Sequence, residues 1–228
     1  MNLAEGISCY LIDFGSDTDW LNEITRNALS QVHNLSISGG NESTNYYGSV
    51  NFRDLNGFIL ESHNQVLNGR LSLTHTGLDK KLTVQMGLSN TFTTENPVNY
   101  QSYRQALQRN PTQPVYNEDG SFFEDAGYDS SNPLGLLLQY DRENKRSQVL
   151  ANTQVSYRIT NNLKASATAA LQRSNTITGY FEHIDALASV NGGHSGTAQR
   201  TTNASLDRTF EANLNYTNQF AGLHTINA

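Results

Sequence analysis

The chain has 228 residues, of which 36% are hydrophobic and 16% charged, and its formal net charge is −6. This acidic balance excludes the basic surface of a nucleic-acid-binding protein. The single cysteine, Cys9, excludes an internal disulfide bond and a cysteine-based metal site. No apolar run reaches the roughly 18 residues of a transmembrane helix, but a membrane-spanning strand needs only about 9–11 residues with every second one apolar.

The first predicted element is a short helix over residues 17–30. Thr18 or Asp19 can cap its N-terminus, and Leu21 and Ile24 share one face. The residues before it lack the charged start and long apolar stretch of a secretory signal, so we expect an exported protein to have a longer N-terminus.

An antiparallel hairpin is predicted over residues 33–52. Its first half has apolar side chains at odd positions, Leu35 and Ile37, and its second half at even positions, with Val50 and Phe52 among them. The turn formers "SGGNEST" lie between the halves. The change of parity across the turn places the apolar residues on one side of the hairpin.

Later segments show the same alternation of apolar and polar residues, which predicts further strands. The clearest is "KLTVQMGLSNTFTT". A fifty-residue interruption is predicted to be a long loop at 95–147, with a short helix around Tyr100, Tyr103 and Leu107, and a second long loop covers 174–202. The further predicted strands are "LNGRLSLTH", "QVLANTQVSYRI", "LKASATAAL", "LDRTFEANLNYTN" and the start of one at "LHTINA".

The connections between these strands alternate between short and long along the chain. Outer-membrane barrels have short turns on the periplasmic side and long loops outside. The face opposite the apolar residues is rich in Asn, Gln, Ser and Thr, which suits a water-filled interior. The pattern therefore favours an all-β, antiparallel up-and-down transmembrane barrel segment. The alternative is a soluble or surface-anchored β-sheet domain that binds carbohydrate.

The alternation of short and long connections also predicts how the chain is oriented in the membrane. Residues 1–32 form an extracellular loop with a short helix, and residues 33–228 form a partial barrel with long loops at 95–147 and 174–202. Because the strand that begins at residue 33 runs inward, at least one strand is expected before it.

Two stretches, "DTDWLNEITRNALSQVHNLSISGGNESTNYYGSVNFRDLNG" and "ALQRNPTQPVYNEDGSF", resemble the SusC/RagA family of TonB-linked outer-membrane transporters of Bacteroidota. That family shows a TDW helix followed by HN-x-S-(I/V)-SGG and a tyrosine-bearing strand. The match covers about a quarter of the chain.

The resemblance implies a barrel of about 22 strands around an N-terminal plug. It also implies a SusD-type surface lipoprotein as partner and uptake of glycans, other large nutrients or peptides, driven by the TonB complex through the plug. The chain contains about eight of those strands and no plug or TonB box, so we interpret it as a fragment of the barrel. The family consists of outer-membrane importers and not of enzymes, and no cofactor is implied.

Candidate ligand-binding residues are the aromatic side chains of the long loops, because aromatic faces stack on sugar rings and binding residues favour loops. No catalytic residue is predicted. The stretch "GGHSG" is similar to the nucleophile motif G-x-S-x-G, but threonine stands at position 197, where the motif needs its second glycine. No metal-binding residue is predicted, because the histidines are scattered along the chain. Carboxylates in "NEDGSFFEDAGYD" leave calcium binding as a weaker alternative to a solvated loop. The aromatic candidates are Tyr116, Phe122, Phe123, Tyr128, Tyr140, Tyr180 and Phe181.

Overall fold

The computed structural model describes residues 13–125, 131–220 and 224–227. They form one eight-stranded sheet in which every strand pairs with its neighbours in sequence, in the order β1 to β8. All pairs are antiparallel, so the expected up-and-down topology is confirmed. The strands are β1 Gln31–Gly40, β2 Thr44–Asn56, β3 His63–Gly77, β4 Leu82–Asn96, β5 Tyr140–Arg158, β6 Leu163–Glu182, β7 Thr197–Phe220 and β8 His224–Asn227.

The register of the sheet brings the alternating apolar residues of β1 to β7 onto a single face. Residues directly opposite each other in an antiparallel pair point to the same side. Leu35 is opposite Val50, and Leu71 is opposite Leu88. Leu88 is in turn opposite Ala151. A slip of one residue in any of these pairs would place polar residues on this face.

Long and short connections lie at opposite ends of the sheet. The short turns are residues 41–43, 78–81 and 159–162, and the long connections are 57–62, 97–139 and 183–196. The long loops are shorter than the 95–147 and 174–202 predicted from sequence, because β5 begins at Tyr140 and β6 continues to Glu182. Beyond the apolar segment these strands carry polar residues on both faces, so hydropathy no longer alternates although the hydrogen-bonded ladder continues.

Four helices lie among the described residues, all outside the sheet: α1 Trp20–Ile24, α2 Tyr100–Gln108, α3 Gly135–Leu138 and α4 Leu187–Gly192. Asp19 caps α1 as expected, but the helix ends at Ile24 instead of continuing to residue 30. Its continuation is extended because Thr25 pairs with Ile59 and the Arg26 amide donates to the Phe58 carbonyl at 2.7 Å. Helix α2 is where the sequence predicts it. None of the described helices is long and apolar enough to cross a membrane.

The buried apolar core lies at the long-loop end and not against the sheet. Among the described residues, Val66 is the only buried apolar side chain that belongs to a strand. We call segments 13–30, 57–62, 97–125 and 131–139 the loop cap. Its core consists of Trp20, Ile24, Ile59, Ala106 and Leu137.

Candidate functional site

The apolar face of the sheet is open to its surroundings. Leu35 is 76% exposed, Leu71 is 59% exposed and Phe210 is 75% exposed. Among the described residues no second sheet covers this face, and all eight strands belong to one sheet. A water-soluble sandwich would bury these side chains. The arrangement therefore fits a face that contacts lipid.

The height of this apolar face matches a bilayer. In β4 it extends from Leu82 to Phe92, a span of eleven residues. At a rise of ~3.3 Å per residue and a strand tilt of ~40°, this corresponds to ~25 Å, the height of the apolar band of an outer-membrane barrel. Tyr157 and Tyr216 lie on the same face near the short-turn ends of β5 and β7. Aromatic side chains at that level are typical of the membrane interface.

The opposite face carries a continuous layer of polar side chains. Asn34, Asn51 and Asn68 lie side by side on β1, β2 and β3. The Asn51 amide donates to the Asn34 side-chain oxygen, and Asn68 Nδ2 donates to Thr91 Oγ1 at 2.6 Å. This face can form hydrogen bonds with water or with hydroxyl and amide groups of a passing solute.

Nearer the long loops, a carboxylate joins three strands on the polar face. Glu95 of β4 accepts from Asn64 Nδ2 at 3.3 Å and from Asn144 Nδ2 at 3.2 Å. These bonds bridge β3, β4 and β5 above the apolar segment. They keep the strand extensions paired where no lipid supports them.

The loop cap joins the segment before β1 to the long loop between β4 and β5. Trp20 Nε1 donates to the Asn110 carbonyl at 3.1 Å, and the Arg109 guanidinium lies 5.0 Å from the centre of the Trp20 ring. Arg109 Nη2 also donates to the Phe123 carbonyl at 2.6 Å. Burial lowers the pKa of Arg109, and the negative charges of Glu124 and Asp125 oppose this shift.

Asn132 organises the second half of the same loop. Its side chain donates to the carbonyls of Val115 and Phe123 at 2.8 and 3.1 Å. Its side-chain oxygen accepts from the backbone amides of Leu134 and Gly135 at 3.0 and 3.2 Å, at the start of α3. The backbone N–H of Asn132 donates to the Glu124 carboxylate at 2.6 Å. Burial raises the pKa of Glu124, while this amide and Arg109 act in the opposite direction.

A second polar cluster forms where β6 ends. Glu182 accepts from Ser189 Oγ at 2.5 Å and from the Tyr180 hydroxyl at 2.9 Å, and His194 Nε2 lies 3.3 Å from the same carboxylate. The Ser189 bond is the main cause of a lowered pKa for Glu182. This cluster fixes α4 to the end of the strand.

The predicted aromatic candidates do not form one site. Tyr116 and Phe122 pack on each other with ring centres 5.2 Å apart, and Tyr116 is 47% exposed. Phe123 packs edge-on against Phe14 at 5.4 Å within the loop cap. Tyr128 lies outside the described residues.

The other three candidates divide between the two faces of the sheet. Tyr140 is opposite Glu182, and Tyr180 is opposite Arg142, both on the continuation of the polar face. The Arg142 guanidinium lies 5.4 Å from the centre of the Tyr180 ring. Phe181 instead lies on the continuation of the apolar face and is 49% exposed.

The carboxylates of the long loop do not gather into a metal site in the part of the chain that is described. No group of three or more potential metal ligands is found there. Asp119 accepts from Ser121, and Asp125 accepts from Gln113 Nε2 at 2.7 Å. Asp129 lies outside the described residues.

Sequence reasoning missed two organising residues, Asn132 and Glu182. Asn132 precedes a proline, and an Asn-Pro pair indicates a turn. That signal predicts a local bend but not the carbonyls of Val115 and Phe123, which the chain brings from elsewhere in the loop. No sequence signal marks Glu182 as an organising residue, because its hydrogen-bond partners depend on where β6 ends.

Comparisons with known proteins agree with this geometry. No family model matches the chain. The chain is 26% identical over 224 residues to TonB-dependent receptor P3 of Formosa agariphila, an alignment that covers 92% of the chain and 22% of that protein. It is 28% identical over 156 residues to TonB-dependent receptor P26 of the same organism, covering 62% of the chain and 14% of the relative. The chain thus spans less than a quarter of the length of these relatives.

Solved structures show the same fold. The chain superposes on a structure of the RagAB peptide transporter with a TM-score of 0.76 and 18% identity, over 97% of the chain and 26% of that structure's chain. For the RagAB peptide importer in its closed-closed state the TM-score is 0.73 over 92% of the chain and 24% of the other. Both relatives from Formosa agariphila are TonB-dependent receptors. The resemblance and the expected outer-membrane location are confirmed, since the chain is similar to TonB-dependent receptors and its sheet has the fold of a barrel segment in the RagAB structures.

Proposed function

We propose that this chain supplies wall strands and outer loops to a TonB-dependent transporter that imports glycans or other large nutrients across the outer membrane. The observation that supports it most is the pair of unlike faces on one sheet. Leu88 points to the apolar face and Ser89 to the polar one, and this alternation holds over a height of ~25 Å. A wall between lipid and water needs such a sheet.

The loop cap supports a role in binding large solutes. It is a folded body with its own core, at the end of the sheet where the long connections lie. Tyr116 is half exposed there, and Tyr140 and Tyr180 stand on the continuation of the polar face. Phenol rings offer both a stacking surface and a hydroxyl group, which suits sugars and peptides alike. We therefore propose these three tyrosines as ligand contacts.

The whole transporter is proposed to act with a SusD-type surface lipoprotein and the TonB complex. The two structures named above are of an assembly called a peptide importer, which supports import by a related assembly. In this proposal the wall strands stay rigid, and energy from TonB acts on a plug inside the barrel. The residues of the described sheet hold the pore and do not perform the coupling.

Cysteine labelling of the full-length protein in outer membranes tests the wall assignment. In a background with Cys9→Ser, Leu88→Cys is expected to react with a lipid-soluble maleimide and to resist a charged one. Ser89→Cys is expected to react with the charged reagent once the barrel interior is open to it. Labelling of Leu88→Cys only after unfolding would contradict the proposal, because it would place that face in a protein core.

The ligand contacts are tested by uptake of labelled oligosaccharide or peptide in cells that carry the variant transporter. Tyr116→Ala and Tyr180→Ala are each expected to reduce uptake by about fivefold, since stacking of an aromatic ring contributes ~1 kcal/mol. Phe181→Ala is the matched control, because that ring lies next to Tyr180 but on the opposite face. Equal losses for Tyr180→Ala and Phe181→Ala would contradict the assignment.

A further inference from the structure

Two arginines interrupt the apolar face of the sheet. Arg173 of β6 is directly opposite Leu206, and Leu171 is directly opposite Arg208 of β7. The two arginines are therefore diagonal neighbours on that face, with β-carbons roughly 6–8 Å apart. Both side chains are exposed.

Their depth can be read from the strands that follow the short turns. Leu82 and Leu163 are the first residues of β4 and β6, and both follow a short turn. Phe92, at the top of the apolar face, and Arg173 each lie ten residues further along. The next position outward on the β6 face is Asn175, opposite Ser147. Arg173 thus lies at the outer boundary of the apolar face. Arg208, opposite Leu171, lies one position further inward on that face, and its long side chain can extend to the same boundary.

No protein group neutralises this pair within the described residues. Neither arginine forms an ion pair or a side-chain hydrogen bond there. Glu143, on the same face further out, is already paired with Lys145 at 2.7 Å. Like charges on adjacent strands repel each other, so an anion shared between the two would stabilise the pair.

We propose that Arg173 and Arg208 bind a phosphate group of a lipid in the outer leaflet. A guanidinium can donate two parallel hydrogen bonds to phosphate, and two adjacent guanidinium groups can share one phosphate. The boundary between acyl chains and headgroups is where lipid phosphates lie, and each arginine has a leucine, Leu206 or Leu171, directly opposite it on the neighbouring strand. The site goes beyond transport and depends only on the lipid-facing assignment, which the labelling of Leu88→Cys tests separately.

Native mass spectrometry of the full-length transporter tests this site. The protein is transferred into nanodiscs that contain bisphosphorylated lipid A or its dephosphorylated form, and retained lipid is counted after release. The native protein is expected to retain the phosphorylated lipid on the order of tenfold better. Arg173→Gln and Arg208→Gln are each expected to remove most of this preference, and the double variant little more, because the two side chains share one phosphate.

Lys145→Gln is the matched control, since it removes a positive charge of the same face that is already paired. It is expected to leave the preference unchanged. Arg173→Lys with Arg208→Lys keeps both charges and is expected to give an intermediate preference, and heat-modifiable migration on gels verifies that each barrel is folded. Equal retention of the two lipids by the native protein overturns the proposal, as does an unchanged preference in the double glutamine variant.

Discussion

Asn132 lies at the centre of the long loop, and its side chain has no exposed surface. It makes four side-chain hydrogen bonds to backbone groups of residues 115, 123, 134 and 135. A buried polar group that loses its partner costs free energy, and here several backbone groups would lose theirs together. The order of the loop therefore depends on one amide side chain.

Replacing this side chain should open the loop locally. For Asn132→Ala we expect the free energy of opening of residues 131–138 to fall by on the order of 3 kcal/mol, as measured by amide hydrogen exchange. Asn117→Ala is the control, because Asn117 is exposed and bonds to Ser121 and Phe122 at the tip of the same loop. A similar loss in both variants would contradict a central role for Asn132.

Glu182 gives the second residue-level prediction, a dependence on pH. Its pKa is lowered from 4.5, first by the Ser189 hydroxyl and then by Tyr180 and His194. Because the pKa in the folded state lies below that of the unfolded state, the carboxylate stabilises α4 above pH 4.5, and this contribution is lost as the pH falls through the folded-state pKa. Hydrogen exchange of residues 187–192, corrected for the intrinsic rate, should show protection declining in acid.

Glu182→Gln should remove this acid dependence and lower protection at neutral pH. Glu143→Gln serves as the control, since Glu143 is half-buried and its ion-pair partner among the described residues is Lys145. Protection of α4 that falls equally with acid in the native protein and in Glu182→Gln would show that another group titrates.

At the scale of elements, the strands divide into a part that sequence predicts well and a part that it does not. Alternation identifies β4 from Leu82 onward because lipid on one side and water on the other select different residues. The extension of β5 from Tyr140 to Ser147 has polar residues on both faces, so its strand character comes from pairing with β6 and not from burial. Helix α2 was predictable because its N-cap Asn99 and its end before Asn110-Pro111 are local signals.

Other elements are determined by contacts with residues distant in sequence, and their own sequences do not predict these contacts. Helix α1 stops early because the Leu60 amide donates to the Ile24 carbonyl at 2.9 Å, and Arg26 Nη2 donates to the Ser62 carbonyl at 2.9 Å. Helix α3 has four residues and is held by Asn132. For the same reason the aromatic candidates could be named from sequence, but the separation of Tyr180 from Phe181 required the register of β5 and β6.

The turn between β3 and β4 offers a prediction at this scale. Leu78, Asp79 and Lys80 have φ values of 51°, 52° and 64°, a conformation that favours glycine. Lys80→Gly should therefore raise the free energy of unfolding in lipid vesicles by about 0.5–1 kcal/mol, since relief of strain exceeds the added chain entropy. Asn161→Gly, in the turn between β5 and β6 where no positive φ occurs, should lower stability instead. A gain in both variants would contradict the strain argument.

At the scale of the whole molecule, one sheet has an apolar and a polar face, and the folded loop cap lies at one of its ends. The core of the cap is independent of the sheet faces, since its buried residues come from α1, α2, α3 and the connection between β2 and β3. The residues of the sheet faces and the residues of the loop cap can therefore be substituted independently of each other. In the proposed function, substitutions in the loop cap can therefore alter solute binding without changing the residues of the apolar face.

An arginine introduced on the apolar face should lower the free energy of unfolding more than an arginine introduced on the polar face. Leu88 lies close to the middle of the apolar face, between Leu71 and Ala151. For Leu88→Arg in the full-length protein we expect a loss of about 2–4 kcal/mol in the free energy of unfolding from lipid vesicles, because the guanidinium must enter hydrocarbon. The measurement is urea unfolding followed by tryptophan fluorescence.

Gln85→Arg on the same strand provides the comparison, because Gln85 faces the polar side between Thr74 and Gln154. Its arginine stays in water, so the change in stability should be smaller than 1 kcal/mol. In detergent micelles of short chain length the loss of stability caused by Leu88→Arg should be smaller, since the guanidinium of the arginine can reach water there. Equal costs for the two variants in lipid would mean that both faces meet the same solvent, and the wall assignment would then be wrong.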